Sequence, residues 1–143
     1  VRKKEQLLWD AMKRKAPADF DFERIENLVG DGTPDLRGKR IGGPRELWVE
    51  LKAPIIPLRP SSLFMGKSSG VRVSQEGWHL RYASFGGVSF ILCRDQHKSL
   101  YLFCGSDAAE IKLWPLAEAR KRNLASSWDG IFLAFERASQ EQK

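Results

Sequence analysis

Residues 45–52 read RELWVELK, and the alternation within them decides the fold. Leu47, Val49 and Leu51 fall on one side of a period-2 ribbon, and Glu46, Trp48, Glu50 and Lys52 on the other. That is the pattern of a strand with one face turned to a core. The same periodicity sets Glu50 and Lys52 side by side, a carboxylate and an ammonium projecting together from the end of the strand.

Upstream, the composition of 30–34 (Gly-Asp-Gly-Thr-Pro) predicts a turn, followed by a second strand over 35–39 that ends at Gly42-Gly43-Pro44. Residues 21–28 predict a weaker first strand, with Phe22, Arg24 and Glu26 alternating against Glu23, Ile25 and Asn27. Residues 3–15 predict a helix with Leu7, Leu8, Ala11 and Met12 on one face and Trp9 at its edge, stopped by Pro17. Downstream, 53–73 holds three prolines, four serines, two glycines, three basic residues and no acid, and it reads as a long basic loop. Residues 74–84 predict a helix with Ser74 as cap, ended by Gly86-Gly87. Two short apolar runs, 88–93 and 100–104, predict a hairpin turning near His97. Residues 107–122 are helical with an interruption at Pro115, which opens a second short helix. Over 131–138, β-propensity competes with a helical reading capped by Asp129, and the helix is favoured. The order gives an α/β sandwich around a mixed sheet.

The chain has 143 residues, 42% apolar and 29% charged, enough for one core, and it reads as a single domain over 1–143. No apolar run reaches the length of a membrane-spanning helix, and 1–15 lacks the apolar centre of a signal peptide, so the expected setting is cytoplasmic. With the hairpin turning near His97, Cys93 faces Tyr101 and Cys104 faces Phe90. The two sulfurs are then out of register for a disulfide. The two histidines, His79 and His97, have no zinc-ligand spacing. The net charge of +6 is uneven, running +4, −3, +4 and +1 over 1–15, 16–51, 52–81 and 82–143. An acidic segment between basic ones suits a site that holds a cation within a surface for a polyanion.

The acidic segment carries Gly32-Thr33-Pro34-Asp35-Leu36 and, fifteen residues after Asp35, Glu50-Leu51-Lys52. Two carboxylates on neighbouring strand ends, with the Leu51 carbonyl between Glu50 and Lys52, offer oxygen ligands to a hard divalent ion and leave positions for water. Lys52 shares the face of Glu50 and can meet phosphate oxygen. Such a set can hydrolyse a phosphodiester.

These residues resemble the PD-(D/E)XK nucleases, with Pro34-Asp35 and Glu50-Leu51-Lys52 in the places of the motif. Within that superfamily the Gly-Thr-Pro-Asp-Leu turn, the Val-Glu-Leu-Lys strand and Ser74-Gln75 at the next helix start look like the VRR-NUC group of small phage and repair nucleases. The resemblance spans about residues 5–93. It implies a restriction-endonuclease-like mixed β-sheet flanked by helices and a Mg²⁺- or Mn²⁺-dependent DNA endonuclease of phage or bacterial origin, acting in the host cytoplasm if of phage. Branched, flap or four-way junction DNA is the substrate class it suggests. It assigns Asp35, Glu50 and the Leu51 carbonyl to the metal and Lys52 to catalysis, with looser matches at Gln75 and at Glu5 on the first helix. DNA is the implied partner, and cutting two strands of a branch together would call for a homodimer.

Arg59, Lys67 and Arg72 in the loop after Lys52 are expected to follow the DNA backbone, clear of the core. His79, one turn after Gln75, stands between site and rim. Asp31 reads as a turn former, Glu26 and Glu46 as surface or ion-paired, and Trp78 or Trp114 as candidates for an oligomer surface. The competing functional reading is a non-catalytic nucleic-acid-binding module of the same fold. A sequence-specific restriction enzyme is a weaker third, since little chain remains for reading bases.

Overall fold

In the computed structural model, residues 2–25, 32–65 and 70–140 are described. The order is α1 (Arg2–Lys15), β1 (Phe20–Arg24), β2 (Leu36–Arg40), β3 (Leu47–Lys52), α2 (Val73–Ser84), β4 (Val88–Arg94), β5 (Leu100–Cys104), α3 (Leu116–Arg122) and α4 (Trp128–Gln140). One five-stranded sheet runs in the order β1-β2-β3-β4-β5. All its pairs are antiparallel except β3 with β4, which the α2 crossover makes parallel. The mixed sheet with helices on both faces is the α/β architecture expected.

Period 2 sorts the sheet into two cores. Leu47, Val49 and Leu51 of β3, with Phe90 and Leu92 of β4, face α1 and α4 through Leu8, Trp9, Met12, Ile131, Phe132 and Phe135. Ile91 and Cys93, with Tyr101 and Phe103, face the opposite way against Phe64, Ile111, Trp114 and Leu116. The parallel register sets Trp48 beside Ser89, Glu50 beside Ile91 and Lys52 beside Cys93, so Glu50 and Lys52 belong to this second side. The polar face of β3 is therefore covered as well as its apolar one. Glu50 is 1% and Lys52 8% exposed. Burying charge is costly and rarely done for stability alone.

Several expectations are corrected. On α1 Leu7 is solvent-facing, because the buried stripe is Leu8, Trp9 and Met12 with Glu5 one turn earlier, at spacings of three and four. Strand β1 stops at Arg24, with residues 26–28 of the expected strand, Glu26 among them, and Asp31 outside the described residues. Strand β3 starts at Leu47 rather than 45, the Arg45 amide donating instead to the Ser139 carbonyl of α4. Helix α2 starts at Val73 and is capped from Arg72, whose amide donates to Gln75 Oε1 at 2.8 Å, so Ser74 lies inside it. Before α3 lie two short 3-10 turns, Gly105–Asp107 and Ile111–Leu113, with Pro115 just ahead of the helix. The ambiguous tail is helical. It begins at Trp128, with Ser127 Oγ accepting from the Gly130 amide and Asp129 in the first turn rather than at the cap.

The segment after β3 does not stay clear of the core. Phe64, Met65 and Val71 are buried. Phe64 packs on Tyr101 and Phe103, and its amide donates to the Trp114 carbonyl at 2.9 Å. Trp114 is itself buried against Phe103, so it offers no surface to an oligomer, and Trp78 packs at a tilt against Trp48 and Tyr82. The hairpin register is as expected, Cys93 opposite Tyr101 and Phe90 opposite Cys104, and both thiols are free. Among the described residues no helix is long and apolar enough to cross a membrane.

Candidate active site

Asp35 ends the turn that leads into β2. Gly32, at φ +92°, packs directly on the start of α2, and a Cβ there would lie 2.3 Å from the Ser74 carbonyl oxygen. Only glycine suits that backbone and that approach. The turn is thereby held against α2, and the Asp35 carboxylate reaches β3, where Oδ2 accepts the Leu51 amide at 2.8 Å. The amide of Leu51 thus fixes one metal-ligand candidate, while its carbonyl is the group the sequence had singled out.

Glu50 and Lys52 project from β3 toward α2, where Gln75 meets both. Gln75 Nε2 donates to Glu50 Oε2 at 2.8 Å, and Gln75 Oε1 accepts from Lys52 Nζ at 2.9 Å and from the Arg72 amide. A carboxylate only accepts and an ammonium only donates, so the carboxamide can sit in one orientation alone. Lys52 Nζ is also 3.9 Å from Glu50 Oε2. Burial and the neighbouring Asp35 carboxylate push Glu50 well above the ordinary carboxylate range, with Glu5 adding to the shift and Lys52 opposing it. Glu5 is half-buried on α1 and acts on Glu50 through charge.

Beneath Glu50 lies a group the sequence left undecided. His79 is fully buried one turn after Gln75, with Nε2 3.7 Å from Glu50 Oε1 and Nδ1 2.8 Å from Ser89 Oγ. Burial, with Lys52 adding to it, lowers its pKa to about 4, so the ring is neutral at pH 7. Ser89 was missed. Its signal was its place on β4, facing α2 two positions before Ile91. Gly105 completes the pocket, since a Cβ there would lie 1.9 Å from Ser89 Oγ and 2.9 Å from His79 Nδ1. Glu50 Oε1 and His79 Nε2 are both buried without a hydrogen-bond partner.

Of the expected DNA-contact residues, Arg59 and Arg72 are solvent-exposed, on the stretch leaving β3 and at the start of α2 respectively. Lys67 lies outside the described residues. Glu46 is ion-paired with Arg37 at 3.9 Å, and His97 is exposed at the hairpin turn.

The residues fit a hard divalent ion. The donors that Asp35, Glu50 and the Leu51 carbonyl offer are all oxygen, Glu50 Oε1 is buried with no donor, and the field of Asp35 and Glu5 on Glu50 is one a cation would offset. Among the described residues no three His, Cys, Asp or Glu side chains form a ready-made cage. The protein would then supply the minority of ligands and water the rest, as suits Mg²⁺.

No protein-family profile matches the chain, and no curated protein sequence does. Among solved structures, the chain is similar to Hjc, a Holliday junction resolvase of the archaeal hyperthermophile Archaeoglobus fulgidus. The two are 16% identical at a TM-score of 0.43, over 83% of this chain and 97% of that one.

Proposed function

We propose that the chain is a single-domain, divalent-metal-dependent DNA endonuclease. The observation that carries this reading is the buried Glu50 carboxyl, pressed by the neighbouring Asp35 carboxylate and within reach of Lys52. A binding module of the same fold would need only basic surface. It would have no use for a carboxylate kept under the sheet's cover at a cost in desolvation and like-charge repulsion.

Asp35, Glu50 and the Leu51 carbonyl would hold Mg²⁺ or Mn²⁺, with Glu5 as an outer acid. When bound there, such an ion lowers the pKa of water and offsets charge on a phosphodiester in its transition state. The chain's own part is positioning. The Leu51 amide holds Asp35, Gln75 holds Glu50 and Lys52 at a fixed separation, and Lys52, with donors beyond the one given to Gln75, meets the phosphate oxygen. We assign Arg59, Lys67 and Arg72, all on the stretch of chain between Lys52 and Gln75, to the DNA backbone. The unpaired thiols suit a reducing, cytoplasmic setting.

Branched substrates of the VRR-NUC kind are the substrate class we assign. The test is a cleavage panel of single-stranded, duplex, nicked, flap and four-way DNA in Mg²⁺, Mn²⁺, Ca²⁺ and EDTA. Cleavage in Mg²⁺ and Mn²⁺, strongest on flap or four-way DNA, is expected, with none in Ca²⁺ or EDTA. Binding without cleavage of any substrate would favour the binding module.

A further inference from the structure

We infer that His79 is a positioning residue which, backed by Ser89, steers Glu50 Oε1 and so fixes the direction in which Glu50 meets a divalent cation. The inference rests on the reading of Glu50 as a metal ligand. Its own ground is geometric. Glu50 Oε2 is already committed to Gln75, whereas Oε1 lies 3.7 Å from His79 Nε2, and these two facing atoms are buried without a hydrogen-bond partner among the described residues. Two such atoms facing each other at 3.7 Å are less than 1 Å short of a hydrogen bond.

The tautomer follows from both sides of the ring. A Glu50 carboxylate ionised on a cation only accepts, so the nitrogen facing it must carry the proton. The Ser89 hydroxyl, able to donate or accept, takes the donor's part. A neutral imidazole carries one proton, and Ser89 Oγ, 2.8 Å from Nδ1, can donate its own proton to that nitrogen. The ring proton then sits on Nε2, the atom aimed at Glu50. Three elements enforce the arrangement: α2 carries His79, β4 carries Ser89, and Gly105, after β5, leaves no side chain to displace either. The histidine touches neither substrate nor cation in this scheme. It acts through Glu50, as partners behind a ligand do when they orient it.

The experiment is calorimetric titration of Mn²⁺ into the whole protein without DNA, for wild type, Glu50→Gln, His79→Leu, His79→Gln and Ser89→Ala, with melting curves in EDTA. Glu50→Gln should lose measurable binding. His79→Leu and Ser89→Ala should weaken it by about 10–100-fold. His79→Gln, whose amide nitrogen can donate to Oε1, should recover most of the loss, which a merely space-filling role would not give. Wild-type affinity in both His79→Leu and Ser89→Ala, with Glu50→Gln binding lost, overturns the role of His79 and leaves the metal site standing. Wild-type affinity in Glu50→Gln overturns the metal site itself, and the inference with it. Should His79→Leu fail to fold, Ser89→Ala decides, and unchanged affinity there overturns the inference.

Discussion

Glu50 is the residue on which chemistry and stability meet. A carboxyl whose folded-state pKa is raised holds its proton more tightly when folded, so acid favours folding between the unfolded and folded values. Stability is then lost as the pH rises from the ordinary carboxylate range, about 4.3, through the raised value of Glu50. In EDTA at pH 8, Glu50→Gln should therefore melt higher than wild type, the gap closing toward pH 4. Added Mn²⁺ should raise the melting temperature of wild type and leave the variant where it was. A variant that melts lower at pH 8 would show that the charge is not held at a cost. Lys52 makes a separate case. With Gln75 already aligned to it, Lys52→Ala should lower the single-turnover cleavage rate by about 100-fold or more while DNA affinity changes little. A drop in affinity with an unchanged rate would move Lys52 from the reacting phosphate to the binding surface.

At the scale of elements, the site depends on the turn before β2 lying against the start of α2. Gly32 and Gly42 separate the two causes of glycine's usefulness. Both have positive φ, but a Cβ at Gly42 meets nothing within 4 Å, whereas at Gly32 it meets the Ser74 backbone. Gly42→Ala should cost about 1–2 kcal/mol of backbone strain. Gly32→Ala should cost roughly 1–3 kcal/mol more and lower cleavage, because the turn that carries Asp35 must shift. Urea midpoints measure the first effect, and equal losses in the two variants would mean that the turn does not bear on α2. The strand of Glu50, the hairpin register and the helix of Gln75 were legible because period 2 and turn chemistry are local signals. What the sequence hid was long-range packing. The choice of Trp9 over Leu7 on α1 and the anchoring of Phe64 under a proline-rich stretch depend on partners far along the chain. The burial of both faces of β3 does too. The spacing of Gln75 and His79 placed them on one helix face, but only the register of β4 brings Ser89 up behind the ring.

Across the whole molecule, a net charge of +6 would give the proposed DNA binding a component that salt weakens, since each phosphate neutralised releases counterions. Arg59, Lys67 and Arg72 lie along the chain between the strand of Lys52 and the helix of Gln75. Replacing all three by alanine should weaken binding and flatten its salt dependence by about 0.9 log units per log unit of salt for each phosphate no longer neutralised. Fluorescence titrations on duplex and four-way DNA at several salt concentrations measure it, and an unchanged slope on both would remove that segment from the DNA surface. The central claim, that Asp35 and Glu50 hold a divalent ion which cuts DNA, is tested most directly by nicking of supercoiled plasmid. Wild type should nick it in Mg²⁺ and in Mn²⁺ but not in EDTA, and Asp35→Asn and Glu50→Gln should bind the plasmid and leave it supercoiled. Nicking by either variant at the wild-type rate, or by wild type in EDTA, would contradict the account.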